Sequence, residues 1–367
     1  MISVPKRSRL GCVVLTAIWV ISQAAGAEPE PAPPVPGDRS LYLLTLPFLQ
    51  FGPFRSAEGS GVDVSLFTAN TFSHSWHPDA IKIEFGTLGQ PFTRAEAEEL
   101  HLRHPHDTIY FIDGDTTRVS ALATLAVGSG LSLGLEVPWI SFDGPRTDSF
   151  IEGFHRTFGL GDSQRLSFPR NRFQVVLQAP NGPLYFHDQT PTEGLGDIVT
   201  TLSWQREMPD RWHLAAQLAL KLPTGNADQF RGSGSFDGGL LVAVTKGLGE
   251  VERWTLRFEG SVVAPGRYRG SAPLGLDPSV FFRAMLGAQL RIGSLTWVSI
   301  GAAAEQSPFH RENLLDVSQT AASVSLGISR RLFERCLAEI WVTEHLPSFG
   351  DSADVGFGLR LRYLPGR

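Results

Sequence analysis

The sequence predicts an all-β protein: a transmembrane up-and-down antiparallel β-barrel of about 12–14 strands, with short helical segments in its loops. Three observations carry this expectation. The chain opens on an export signal, it contains repeated period-two stretches long enough to cross a bilayer, and short connections alternate with long ones between those stretches.

The export signal is read from charge and hydropathy. Residues 1–9 hold Lys6, Arg7 and Arg9 without an acid, an apolar run fills 10–21, and Gln23-Ala-Ala-Gly-Ala27 supplies small residues. This order is that of a secretory signal peptide, with cleavage expected after Ala27. The apolar run is shorter than the ~20 residues of a spanning helix. Cys12 opens that run rather than closing it, so it is misplaced for acylation. The expected organisation is a signal peptide at 1–27, a Pro-rich linker at 28–40 and an outer-membrane barrel domain at 41–367. The stretch 28–37 (EPEPAPPVPG) reads as extended and solvated.

Composition narrows the function classes. Cleavage removes three of 32 basic residues and leaves 29 against 37 acidic ones, a formal charge of −8. An acidic chain lacks the basic footprint of nucleic-acid binding, so no nucleic-acid partner is expected. Only Cys336 survives cleavage, which excludes an intramolecular disulfide in an oxidising compartment. The charged fraction, 19%, is below the ~25% of ordinary soluble domains. No second long apolar run follows, and a barrel reconciles the two, because its strands hide apolar residues among alternating polar ones.

The alternation begins near Gly61, where Val62, Val64 and Leu66 interleave with Asp63 and Ser65. Leu131, Leu133, Leu135, Val137 and Trp139 interleave likewise with Ser132, Gly134 and Glu136. In WHLAAQLALKL, Trp212, Leu214, Ala216, Leu218, Leu220 and Leu222 share one face while His213, Gln217 and Lys221 share the other. Similar segments recur near 196–206, 235–246, 252–263, 278–291, 294–306, 317–329, 335–344 and 353–363. Most meet the ~9–11 residues a tilted membrane strand needs. Links at 207–210, 247–251, 293 and 330–334 are short, whereas those at 223–234, 265–277, 307–316 and 345–352 are longer and polar or rich in Gly and Pro. Short periplasmic turns and long external loops give this rhythm, so the last strand descends to the periplasm. That strand carries Val355, Phe357, Leu359, Leu361 and Tyr363 on one face. It is similar to the terminal signal read by barrel-assembly machinery, an expected partner, although Leu364-Pro-Gly-Arg367 follows the tyrosine.

Trp204, Trp212 and Trp254 fall beside short turns, where indoles suit a membrane interface. A soluble sandwich would show the same period-two strands, with these rings packed inside. The N-terminal half poses a parity problem. If Gly128-Ser-Gly130 is a periplasmic turn, an extra strand or a non-spanning segment must lie between Ile140 and Gly194.

Three segments are weighed for chemistry. Thr93-Arg-Ala-Glu96 has capping-box spacing and opens a short helix to about Arg103, after which His101, His104, His106 and Asp107 cluster. Neutral imidazoles there are weak candidates for zinc or copper, since the spacing matches no defined metal motif. In residues 148–159, Phe150, Ile151, Phe154 and Phe158 fall at helical spacing beside Glu152 and His155. With Asp148 and Arg165 they read as an amphipathic plug or loop helix filling a polar lumen. Glu152 and His155 are the one acid and base pair, yet no serine stands in a nucleophile context, so no enzyme and no catalytic residues are expected. Gly194-Leu-Gly-Asp197, Leu222-Pro-Thr-Gly225 and Gly232-Ser-Gly-Ser235 lack the Lys-Ser/Thr of a phosphate loop, and no cofactor is expected.

These motifs, in order, carry a resemblance. Tyr110-Phe-Ile-Asp-Gly-Asp-Thr-Thr-Arg118, the 148–159 stretch with Arg165, Gly194-Leu-Gly-Asp197, and Leu-Pro-Thr-Gly225 with Gly-Ser-Gly234 resemble the proteobacterial domain of unknown function family 3187. The resemblance implies an outer-membrane barrel without an assigned activity, so no functional residues are carried over.

The expected role is a porin-like channel or small-solute transporter lined by Lys221, Arg257, Glu259, Arg283, Gln289, Arg360 and Arg362. The same charges would equally fill a closed barrel with polar pairs. A lipid-modifying enzyme and a structural or adhesive barrel acting through its external loops are the alternatives. Expected partners are outer-membrane lipid and lipopolysaccharide, and a small solute.

Overall fold

The computed structural model describes residues 41–54, 59–74, 93–107, 109–143, 153, 156–157, 173–178, 181–188, 192–249, 253–270, 278–309, 319–333, 335–346 and 354–363. Twelve antiparallel strands close a ring. In chain order they are β1 (Gly61–His74), β2 (Ile109–Gly128), β3 (Leu131–Asp143), then, after three short non-spanning strands, β7 (Ile198–Met208), β8 (Trp212–Leu222), β9 (Asp237–Leu248), β10 (Trp254–Ala264), β11 (Phe281–Ile292), β12 (Thr296–Glu305), β13 (Ala321–Phe333), β14 (Cys336–His345) and β15 (Val355–Tyr363). Each pairs with the next, and β1 closes the circle on β15 from Val62↔Tyr363 to Ala69↔Gly356. A closed ring leaves no free edge, so every wall amide finds a partner where no water reaches.

The parity problem resolves as a non-spanning excursion. β4 (Gln174–Gln178), β5 (Leu184–Asp188) and β6 (Thr192–Leu195) do not cross. β4 and β5 extend the outer end of β2, pairing Ile109↔Gln178 to Asp113↔Gln174, while β6 pairs with the top of β3. The strand number is therefore 12. Short turns, including Gly128 to Leu131 and Met208 to Trp212, lie at the end where β1 starts and β15 finishes.

Alternation sorts the two faces as expected. Along β8, Ala215, Ala219 and Lys221 are buried while Leu218 and Leu220 are exposed. The outer surface is a belt of exposed apolar side chains, among them Phe258, Phe282, Leu286, Ile300, Leu326 and Ile340. So large an exposed apolar surface is stable only against hydrocarbon. Trp204, Trp212 and Trp254 are exposed at the short-turn ends of their strands, with Lys246 Nζ 4.8 Å from the Trp212 ring, as an interfacial girdle requires. No helix among the described residues is long and apolar enough to cross a membrane.

The capping box is present. Thr93 Oγ1 accepts from the Glu96 amide and Glu96 answers the Thr93 amide, opening α1 (Arg94–Arg103). Ala97 and Leu100 face inward from α1, and Ala97 joins a small cluster with Phe72, Phe111 and Val176 on one side of the β2–β4 extension. Its other side, through Tyr110, Ile112, Val175 and Leu177, joins the main core.

Inside the wall, large residues face small ones. A Cβ on Gly358 would lie 1.9 Å from Trp341 Cε2, and one on Gly356 would lie 2.5 Å from Phe67 Cζ. Trp341 cannot simply swing away, because it stacks on Phe67 at 5.8 Å and carries the Arg360 guanidinium at 4.8 Å. Gly358→Ala should therefore cost about 1–3 kcal/mol by overpacking, read as a lower denaturant midpoint in vesicles. An unchanged midpoint would mean that the ring has room to relax.

Candidate functional site

The lumen contains a plug. Residues 41–54 (LYLLTLPFLQFGPF) carry nine large apolar residues and no charge. Pro47 and Pro53 disqualify the segment as a ladder-paired strand. It folds through tight turns, with the Thr45 and Leu46 amides donating to Tyr42 O and the Phe48 amide to Thr45 O. All but Gly52 are buried. Leu41, Leu43, Leu49 and Phe51 join Phe67, Ile140, Phe142, Val199, Leu241 and Phe281 in one continuous core. Each such side chain contributes roughly 1.5–3 kcal/mol on full burial.

Four contacts from strand side chains to plug backbone fasten the plug, and Tyr42 Oη adds a side-chain contact to Ser73 Oγ of β1 at 3.3 Å. The Leu49 amide donates to Asp237 Oδ2 at 2.7 Å and the Phe54 amide to Glu259 Oε1 at 2.8 Å. Arg257 donates to Phe54 O and Arg283 to Phe51 O. Here the expectation of a polar lumen is corrected: its half toward the long loops is an apolar core, because the plug brings its own apolar side chains. The plug foreseen at 148–170 lies outside the described residues at Asp148, Glu152, Phe154, His155 and Arg165. Within it Gly153 is described, together with the exposed Arg156 and Thr157.

The seven candidate lumen residues occupy buried or half-buried wall positions, where all but Gln289 bond to carboxylates of the wall, to the loops or to the plug. Arg257 Nε donates to Glu259 at 2.6 Å, Arg360 reaches Glu339 at 3.2 Å, Arg362 reaches Asp63 at 3.0 Å, and Arg283 lies 3.8 Å from Glu305. Gln289 is buried, with no hydrogen-bond partner for its amide among the described residues.

Lys221 organises the mouth at the long-loop end. It is 2% exposed, and its Nζ donates to Asp197 Oδ2, to Ser233 Oγ at 2.7 Å and to Ser235 O at 3.2 Å, with Asp237 Oδ2 also 3.2 Å away. Asp197 Oδ1 takes the Gly225 amide and its Oδ2 the Ser233 amide. Asp237 Oδ1 takes the Gly266 amide while its Oδ2 holds the plug at Leu49. Gly232 packs so close that a Cβ would meet Asp197 Oδ1 at 2.3 Å. The loop motifs at 194–197, 222–225 and 232–235 thus converge, around one buried cation, on the wall that fastens the plug. Nearby, Tyr268 donates to Ala227 O at 2.5 Å. Burial, with the charge of Asp228 adding to it, pushes the Tyr185 phenol up to about 12.

Below residues 49–53 a cavity with about 50 Å³ of enclosed space, partly open to solvent, is walled by β2, β3, β7 and β8. Its wall side chains are Leu122, Thr124, Ser132, Glu136, Val199, Thr201, Ser203, Gln217 and Ala219.

The candidate histidines point to separate partners. His101 Nδ1 pairs with Gln178 Oε1 at 2.9 Å, His104 with Asp107 at 3.2 Å and His106 with Asn181 Oδ1 at 2.6 Å. Each ring is committed to a different partner, and no three potential ligands converge among the described residues.

Sequence reasoning missed the plug. The signal was present as a non-alternating apolar run broken by prolines, directly after the Pro-rich stretch.

A family model described as "Protein of unknown function (DUF3187)" matches residues 104–364. Comparison with curated proteins gives no match. Among solved structures, the Ralstonia pickettii toluene transporter TbuX matches with 11% identity and a TM-score of 0.41, over 84% of this chain and 90% of that one. The CymD monoaromatic hydrocarbon channel matches with 11% identity and a TM-score of 0.40, over 85% and 90%. The β-domain of the Bordetella autotransporter BrkA matches with 11% identity and a TM-score of 0.39, over 84% and 100%. Scores this low say nothing of cargo; strand number and closure are read from the pairing above.

Proposed function

The chain belongs to the DUF3187 family, and from that premise we propose that its barrel is an outer-membrane passage for a small solute, closed by its own N-terminal segment. The observation that carries this reading is the way residues 41–54 are held. They are separate from the wall ladder and fastened by four side-chain-to-backbone contacts above a polar cavity. A segment held in this way leaves the lumen without breaking the barrel. The wall needs no rearrangement, because its ladder is complete without the plug. On this reading the belt faces outer-membrane lipid and lipopolysaccharide.

The paired interior charges favour a second reading, a permanently closed structural barrel that acts through its external loops. Planar-bilayer recordings of the refolded full chain separate the two. The wild type should stay mostly closed, and a variant with 41–54 replaced by a Gly/Ser stretch of equal length should open to a steady conductance. A silent variant that still shows the boiling-dependent gel mobility of a folded barrel would end the passage reading.

A further inference from the structure

We propose that the cavity beneath the plug is a binding site for a small, uncharged, polyhydroxylated solute of the sugar or polyol class. This deepens the passage reading and rests on it. The argument begins with the wall register. Ser132 faces Ser203, which faces Gln217; in the next row Thr124 faces Gly134, which faces Thr201, which faces Ala219. The second row is hollow because two of its four members are Gly and Ala. At Gly134 a Cβ would stand 2.3 Å from Thr201 Oγ1, so the glycine makes the room that this hydroxyl occupies.

The chemistry of the lining then selects the ligand. Gln217 Nε2 donates to Ser203 Oγ at 2.9 Å, which leaves the Gln217 carbonyl and the Ser203 proton to offer inward. Thr124, Thr201 and Ser132 add three hydroxyls, each able to donate and accept. The one charge of the lining, Glu136, is met by Arg118 at 3.0 Å, so a charged ligand would be desolvated without a counter-charge. A hydrocarbon would leave these hydroxyls and the amide unpaired. Leu49, Phe51, Pro53, Leu122 and Val199 complete the lining with apolar surface, which suits the C–H faces of a sugar ring. The cavity's enclosed space, about 50 Å³, is smaller than a hexose, so a bound ring extends from it into the solvent-open side.

The test is titration calorimetry on the full chain in detergent micelles. The probes are glucose and sorbitol, with gluconate and glucosamine as charged probes of similar size and toluene as an apolar one. Glucose or sorbitol should bind at least tenfold more tightly than the charged and apolar probes. Thr201→Val with Ser203→Ala should weaken that binding about tenfold, the loss of two neutral hydrogen bonds. Thr201→Ser should retain it, and Gly134→Leu should abolish it. Tighter binding of a charged or apolar probe, or no binding of any neutral probe, would overturn the proposal. Failure of the two ideas is distinguishable: a plug-replaced barrel that conducts salt but binds no neutral probe removes this inference and leaves the passage. A wild type that binds glucose while the plug-replaced barrel is silent removes the passage and leaves the site.

Discussion

Replacing Lys221 with Met should destabilise the barrel by about 3–5 kcal/mol, the cost of stripping a buried charge pair of one partner. Asp197 and Asp237 would be left facing one another, 7% and 1% exposed, without the ammonium that now lies between them. Unfolding by denaturant in vesicles reads the loss directly. The triple variant Lys221→Met, Asp197→Asn, Asp237→Asn should recover much of it, since no unpaired charge then remains. Because Asp237 also holds the Leu49 amide, the single variant should in addition open more often in bilayers. A loss below about 1 kcal/mol, the scale of a solvated surface pair, would show that Lys221 is not what holds the mouth together.

Leu286→Arg should cost about 2–4 kcal/mol in a bilayer, the penalty for a cation on the lipid face near the midplane. Leu286 is 61% exposed, halfway along β11, opposite the exposed Phe258 of β10. On a water-soluble sandwich the same exchange would replace an exposed leucine with a better-solvated residue, with little effect or a gain. The sign of the result therefore tests the membrane face itself. Comparing vesicles with detergent micelles sharpens it, because a micelle yields water to a guanidinium more readily than a bilayer core does. Equal stability of variant and wild type in vesicles would contradict a lipid-facing β11.

Legibility differed along the chain for physical reasons. β7 to β15 were readable because each has one wet and one oily side. Period-two alternation is then forced on the sequence, and a one-residue slip would reverse every side chain. β4 was not separable, since both of its faces are covered by protein and the alternation fades, and β5 and β6, at five and four residues, are too short to show a period. Residues 41–54 failed for a related reason: a segment surrounded by its own barrel has no wet side, so it shows only hydrophobicity. The inward charges were identifiable one by one, as the polar members of alternating strands. Their partners were not, because Arg257 and Phe54, or Lys221 and Asp197, meet only through strand register and lumen packing.

What the sequence by itself determined is which face of each wall strand turns to lipid and which to the interior, for that is a property of neighbouring residues along one strand. It determined the sense of the connections for the same local reason. The tertiary structure alone decided that twelve strands close the ring, that the plug comes from the N-terminal side, and that three glycine-bearing loops converge on one buried lysine. Those are relations between residues tens to hundreds of positions apart, where no local pattern selects a partner and only the geometry of closure does.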